Sequence, residues 1–382
     1  MSSAMPEVME QQIQEGILEM HPKGFGFLRQ PGRRLEGSTG DVYVPAPLII
    51  KYGLREGMWV AGKLMEGNGV GPRLATVEAI EGQPPELLRR RDFDKLTPID
   101  PNFWLRLETG PQPLTTRVID LLCPIGKGQR GLIVAPPRSG KTILLQHIAQ
   151  AVAKNYPDVK VMVLLVDERP EEVTEMKRSI PGDVFASSND NRSAEHIRLA
   201  EMVFERAKRL AEMGHDVFLL LDSLTRLSRA YNKQLDSGGK IMTGGLDVRA
   251  LEVPRRLFGT ARAFEEGGSL TVIATCLVET GSRMDDIIFE EFKGTGNLEI
   301  VLDRKLAERR VFPAISIPQS GTRKEERLFP PQMYQQIVLL RRALSVMKPV
   351  EAMEMLVQML PKYQTNAEFL ARVGEFTALA SE

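Results

Sequence analysis

Hydrophobic and polar positions follow two different rhythms along the chain. Between residues 14 and 82 short alternating segments recur: GILEM, GFGFLR, DVYVP, MWVAGKL and ATVEAI. Turns containing Gly and Pro separate them, as in PGRRLEGSTGD. Strands of that length and spacing predict a small β-barrel. Residues 1–13 are polar and acidic and read as a lead-in. Residues 83–112 mix Pro with both charge signs, show no period and read as a linker.

From residue 113 to 382 apolar strands alternate with helices. GLIVAP (131–136), VKVMVLLVDE (159–168), DVFLLLD (216–222) and SLTVIATCLVE (269–279) are strand-like runs, with DVFASSN as a further strand. KTILLQHIAQAVAKN (141–155), PEEVTEMKRSI and SAEHIRLAEMVFERAKRLAEMG (193–214) have helical spacing. Pro170 suits a first helical position, and Glu171 and Glu172 suit the positive end of the helix dipole. Continuous apolar strands with helices between them predict a mostly parallel sheet covered on both faces. PQMYQQIVLLRRAL and VEAMEMLVQML add C-terminal helices.

Composition narrows the function. A chain of 382 residues predicts two or three domains. Lys plus Arg and Asp plus Glu each number 50, so a wholly basic nucleic-acid coat is excluded and any such binding uses local patches. The longest uninterrupted aliphatic run is Val161–Val166, far short of the ~20 residues of a membrane span. Two cysteines cannot build a disulfide framework, and the polar start has no signal-peptide character. The expected compartment is a reducing cytoplasm.

The chemistry begins at APPRSGKT (135–142), which lies between a predicted strand and a helix, as a P-loop must. Pro137, Arg138, Ser139, Gly140, Lys141 and Thr142 would surround the phosphates of ATP, because peptide N–H groups and a helix N-terminus attract anions. Lys141 would reach the β- and γ-phosphates, and the Thr142 hydroxyl would ligate Mg²⁺. The first glycine of the strict motif is Ala135 here, and a plain strand–helix turn is the alternative.

Asp222 ends an apolar strand, where a carboxylate is costly without a cation or donors. It fits a Walker B role on Mg²⁺, or an N-cap for LTRLSRAYN. Glu168 ends VMVLLVDE in the same way. Carboxyl ends of parallel strands line one crevice, so Lys141, Asp222 and Glu168 should converge. Glu168 or its neighbour Asp167 would polarise the attacking water. Arg169, Arg310 and Arg323 are candidates for the positive charge that hydrolysis needs, against the commoner surface arginine.

GFGFLR puts Phe25 and Phe27 on one face of a strand, with glycines clearing space for flat bases. Stacking contributes about 1–3 kcal/mol per base. Arg29 follows on the same face, and DVYV brings Tyr43 from a neighbouring strand. A five-stranded oligonucleotide-binding barrel suits this pattern, while the alternative makes both rings barrel core. His21, His147, His196 and His215 show no metal spacing.

The stretches APPRSGKT, VDERPEEVTEM, LLLDSLTRLSRAYN, SGGKIMTGGLD, EEGGSLTVIAT, EEFKGTGN, RRVFPAI and SGTRKEE occur in this order. In this the chain resembles the bacterial transcription termination factor Rho family over roughly residues 14–345. The resemblance implies an α/β RecA-like P-loop ATPase domain behind an OB-fold barrel, and an RNA-dependent ATPase that moves along nascent single-stranded RNA. It implies a ring-shaped homohexamer with ATP at subunit interfaces, and RNA polymerase or elongation factors as further partners. Glu168 would be the base, Asp222 the Walker B residue and Arg323 the arginine finger from the neighbouring subunit. Arg310 would contact phosphates across that interface, Arg169 would couple site to interface, and Phe312 would stack on adenine. Lys240 and Arg283 match loops that grip RNA in a central channel.

Two departures stand out. Little precedes the barrel, where many members carry a helical bundle. A tyrosine expected late in the barrel is replaced by Arg73 and Leu74. The competing functions are a rotary-type or secretion ATPase subunit, which would leave GFGFLR unexplained, and an RNA-binding protein that uses ATP only for assembly.

Overall fold

The computed structural model describes residues 13–30, 35, 37, 38, 40–65, 71–89, 91–235 and 244–374. They fall into two compact units. One holds the described residues up to Phe93 together with Glu201–Met213, and the other holds Asp94–Ala200 and the described residues from Gly214 onward.

In the first unit, alternation builds a barrel. Strand Ile13–Met20 pairs antiparallel with both Gly26–Arg29 and Trp59–Met65. Val42–Val44 lies beside Gly26–Arg29, and Arg73–Leu74 links Val42–Val44 to Trp59–Met65, which closes the ring. Every second residue turns inward, so Leu18, Leu28, Val42, Val44, Val60, Leu74 and Ile80 form the core. The predicted strand ATVEAI is broken, with only Ala79–Ile80 paired as a strand. Ala75 and Thr76 both donate to the Lys63 carbonyl, two residues against one as in a bulge. Gly62 makes this crowding feasible, since a Cβ there would stand 1.9 Å from the Thr76 carbonyl oxygen. In the same unit, Arg206 donates to both carboxylate oxygens of Glu81 at 2.6 and 2.7 Å, and Arg55 pairs with Glu212 at 2.7 Å.

The second unit carries a parallel sheet in the order Asp183–Ser188, Lys160–Glu168, Asp216–Asp222, Ser269–Leu277, Arg130–Ala135, Leu298–Val301, with Gly321–Thr322 antiparallel at the end. These strands are buried almost throughout, as apolar runs without alternation require. Helices Lys141–Asn155 and Pro170–Ser179 begin where predicted. All the parallel strands end on one edge, and each end is followed by a turn into a helix or loop. That edge collects the polar residues that the strand interiors exclude.

Arg117 is fully buried on helix Leu114–Leu122 and fastens it to the C-terminal helices. Its guanidinium donates to the Asn366 side chain (3.0 Å) and to the Leu360 and Tyr363 carbonyls (3.0 and 2.9 Å), with Glu108 at 3.6 Å. An Arg117→Met variant keeps much of the volume but strands these acceptors and the Glu108 carboxylate. Removing one partner of a buried pair costs about 3–5 kcal/mol. The urea midpoint of this unit should therefore fall substantially, and an unchanged midpoint would show the contacts to be energetically idle.

Candidate nucleotide site and nucleic-acid interface

Strand Arg130–Ala135 leads through the predicted P-loop into helix Lys141–Asn155. Arg138 and Gly140 both take left-handed backbone conformations (φ 61° and 88°). Such alternation turns peptide N–H groups toward one concave side and makes an anion cradle. Ser139 locks the loop by donating to the Pro136 carbonyl at 2.7 Å. The ring of Phe312 closes on the loop, since a Cβ at Gly140 would meet it at 3.4 Å. A cleft of about 560 Å³ opens here, lined by the loop, Thr142, Glu168, Arg169 and Arg226.

Lys141, at the start of its helix, meets the strand-end residues Asp222 and Glu168 as expected. Lys141 Nζ donates to both oxygens of Asp222 at 2.7 and 2.6 Å and lies 3.6 Å from Glu168 Oε2. Thr275 donates to Asp222 Oδ1 at 2.7 Å. Asp222 and Glu168 are 1% and 2% exposed. Burial pushes the Glu168 pKa up; Lys141 and Arg226 oppose the shift and Asp222 adds to it, and the net direction is up. Burial pulls the Lys141 ammonium down, but Asp222 and Glu168 outweigh it and hold its pKa above the usual value. Among the described residues, Glu168 Oε2 has no hydrogen-bond partner.

The adjacent acids Asp167 and Glu168 separate because the strand is irregular there. The pairing register shifts between Val166 and Glu168, and Asp167 takes φ 56°. Glu168 thereby enters the nucleotide cleft. Asp167 enters a second cavity of about 480 Å³, shared with His196, Asn191, Arg229 and Arg283.

The arginines distribute unevenly. Arg169 stands at the N-terminus of helix Pro170–Ser179 and lines the nucleotide cleft. Arg310 lines a neighbouring cavity of about 550 Å³ with Pro137 and Arg138. Arg323 is remote from both. Its N–H bonds the Asn297 carbonyl at the amino end of strand Leu298–Val301, and its guanidinium donates to Gly294 at 3.3 Å. The residue that sequence reasoning missed is Arg226, whose Nη2 stands 3.2 Å from Glu168 Oε1. It lies in the motif LTRLSRAYN, one helical turn past Asp222, so the strand-end argument could have reached it.

On the barrel, Phe25, Phe27 and Tyr43 are half-buried and lie outside the core, with ring centroids 5.3–5.9 Å apart. Phe27 and Tyr43 are direct cross-strand partners, and Gly26 and Leu28 occupy the inward face. Arg29 is pinned by Glu19 and Asp41, with its guanidinium 5.0 Å from the Phe27 ring centroid. At the place of the expected tyrosine, Arg73 is exposed opposite Tyr43, while Leu74 enters the core. Arg283 opens helix Arg283–Phe292 and is exposed. Lys240 lies outside the described residues.

A parallel sheet with a P-loop, a half-buried lysine and two buried carboxylates at its carboxyl edge defines a RecA-like P-loop ATPase, here joined to an OB-type barrel in one chain. Comparison with known proteins separates the two parts in the same way. Residues 115–322 match the model of the ATP synthase alpha/beta family nucleotide-binding domain, and residues 14–86 match the Rho termination factor RNA-binding domain. The transcription termination factor Rho of Aquifex aeolicus is 53% identical over 93% of this chain and 83% of its own length. That of Haemophilus influenzae is 52% identical over 93% and 86%. A type III secretion system ATPase shares the fold, with a TM-score of 0.59 at 22% identity over 82% of this chain and 94% of its own. The chain belongs to the transcription termination factor Rho family. It is an ATP-hydrolysing enzyme with an RNA-binding domain. Among the described residues, no helix is long and apolar enough to cross a membrane.

Arg226 holds one oxygen of Glu168 and so fixes the orientation of that carboxylate. An Arg226→Ala variant should still bind ATP, because the P-loop is untouched, yet its turnover should fall at least about tenfold, as positioned acid–base groups contribute ~10²–10⁴. Equilibrium ATP binding and single-turnover phosphate release, measured on one preparation, separate the two. Equal loss of binding and turnover would place Arg226 on the nucleotide rather than on Glu168.

Proposed function

We propose that this chain loads on nascent single-stranded RNA through its barrel and uses ATP hydrolysis to move along the RNA, ending transcription. It works as a ring-shaped homohexamer in the cytoplasm, with RNA polymerase or elongation factors as further partners. Residues 14–82 bind RNA, 83–112 link, and 113–382 form the motor. The observation that carries this reading is the aromatic group Phe25, Phe27 and Tyr43, kept outside the barrel core. The ATPase sheet alone is equally at home in a secretion ATPase. An apolar ring cluster left half in water is costly unless it receives flat ligands, and bases stacked on such rings are stabilised with little sequence preference.

In the motor, Pro137, Arg138, Ser139, Gly140, Lys141 and Thr142 hold the phosphates and Phe312 stacks on adenine. Glu168 accepts the proton of the attacking water, and its upward pKa shift suits a base that works near neutrality. The Thr142 hydroxyl and the Asp222 carboxylate are hard oxygen donors at the same edge, and Lys141 shows that the Asp222 oxygens reach a cation there. They fit Mg²⁺, which when bound would neutralise phosphate charge. Arg169 couples this site to the subunit boundary.

Arg323 acts on the neighbouring subunit's nucleotide. Its place at the amino end of the sheet supports this. The strand Arg130–Ala135 separates that end from the P-loop by roughly 15–20 Å at ~3.3 Å per residue. Arg310 serves the same interface, and Lys240 and Arg283 contact RNA in the channel; the exposure of Arg283 supports the latter.

Steady-state ATPase activity with and without poly-pyrimidine RNA decides between the readings. RNA should raise turnover, whereas a transport ATPase would be indifferent. The placement of Arg323 is tested in mixed rings. Lys141→Ala and Arg323→Ala subunits, each inactive alone, should regain activity when combined, because some interfaces then pair two intact halves. Mixed rings of confirmed composition that stay dead would sink the trans role.

A further inference from the structure

The aromatic surface of the barrel does not end at Phe25. The imidazole of His21 lies nearly parallel to the Phe25 ring, with centroids 4.3 Å apart and planes 9° from coplanar. This contact is built into the hairpin. His21 N–H donates to the Phe25 carbonyl at 2.7 Å, and Gly24 N–H donates to the His21 carbonyl at 2.8 Å. Gly24, at φ 86°, makes the turn without strain. His21 Nδ1 accepts from the Lys23 N–H at 3.2 Å, which leaves Nε2 as the protonated nitrogen. The ring is therefore fixed by its own turn, and it is only half-buried.

The geometry has a consequence for ligand placement. One face of Phe25 is already covered by the imidazole, so a base cannot lie on that face. The opposite end of the group is closed in a similar manner, because the Arg29 guanidinium stands over Phe27 and is itself clamped by Glu19 and Asp41. Phe27, Phe25 and Tyr43 pack against one another at tilted or edge-on angles. The parallel-stacked extension of this cluster is His21. Its outer face is the next flat surface, and a heteroaromatic ring with one N–H stacks on any base.

We infer that His21 is a base-stacking residue of the RNA site, taking one nucleobase of single-stranded RNA on the ring face turned away from Phe25. Phe25 then serves as the support beneath it. The inference rests on the reading of the aromatic group as an RNA surface, and adds one nucleotide to what that surface holds. Arg73, exposed beside Tyr43, remains a boundary of the surface on its far strand and has no part in this contact.

The test uses the full chain and fluorescently labelled oligo-pyrimidine RNAs of increasing length, with binding read by anisotropy and barrel integrity by thermal melting. Two substitutions separate stacking from hairpin structure. His21→Phe keeps the ring and loses the Nδ1 acceptor; His21→Asn keeps an acceptor for the Lys23 N–H and loses the ring. His21→Phe should bind as the parent does. His21→Asn and His21→Ala should bind about five- to a hundred-fold more weakly, the range expected for loss of one stacked base. The increment in affinity gained on adding the last nucleotide of the binding site should also vanish in both. If His21→Asn binds like the parent and His21→Phe fails, the residue serves only the turn and the inference falls. If all three bind like the parent, it falls as well. Phe27→Ala and Tyr43→Ala, measured in parallel, keep the two ideas apart. Weakened binding in these with no effect at His21 overturns the inference alone. Unchanged affinity in all the variants, with intact barrels, overturns the RNA surface itself.

Discussion

Half-buried Lys141 is held between the buried carboxylates of Asp222 and Glu168, and the second unit is organised around that contact. Two buried carboxylates close together would repel and would be driven toward protonation. One ammonium between them, with Arg226 on the far oxygen of Glu168, gives two positive charges for two negative ones. The arrangement is stable only if all four groups are delivered to one place. A parallel sheet does this, because strand ends Ala135, Glu168 and Asp222 share an edge and the next residues after each turn supply the partners. The sheet order is thus a requirement of the electrostatics as much as of the core.

The same balance separates the roles of the two acids. Asp222 takes both short bonds from Lys141 and one from Thr275, so both its oxygens are engaged. Glu168 keeps an oxygen without a hydrogen-bond partner among the described residues, and its pKa is shifted upward. An acid whose oxygens already meet an ammonium is suited to hold a cation, and one with an oxygen that takes no hydrogen bond and a raised pKa is suited to exchange a proton. Which of Glu168 and Asp167 faces the nucleotide cleft, open on residue order alone, follows from one irregularity: the left-handed residue at 167 turns consecutive side chains into different cavities.

Much of this was legible in the chain because it is local. The P-loop, the buried strands and the helix starts are set by runs of adjacent residues, and convergence at the sheet edge follows from parallel topology. The pair Phe25 and Phe27 was legible as a face, since strands alternate, but not as an outer face. That depended on Leu18, Leu28, Val42 and Val44 filling the barrel from the other side. The break in ATVEAI was hidden because it arises from two residues sharing the Lys63 carbonyl across the sheet. Arg226 was hidden because an arginine on a polar helix face looks like any solvated one until Glu168 is known to lie opposite. His21 was set aside for lacking metal spacing, although the relevant partner was an aromatic ring across a tight turn.

The two sites illustrate opposite uses of burial. At the nucleotide edge, charges are withdrawn from water so that their mutual orientation is fixed and a developing phosphoryl charge meets dipoles already in place. On the barrel, apolar rings are withheld from the core, which forfeits some folding stability. Inward residues from six strands, with Gly26 and Gly62 allowing close approach, let the small core fill without the aromatic side chains. The rings are then held rigid by one another, by the clamped Arg29 and by the His21 hairpin rather than by the core. A surface so braced loses little freedom when a base arrives, which is the condition under which stacking energy appears as affinity.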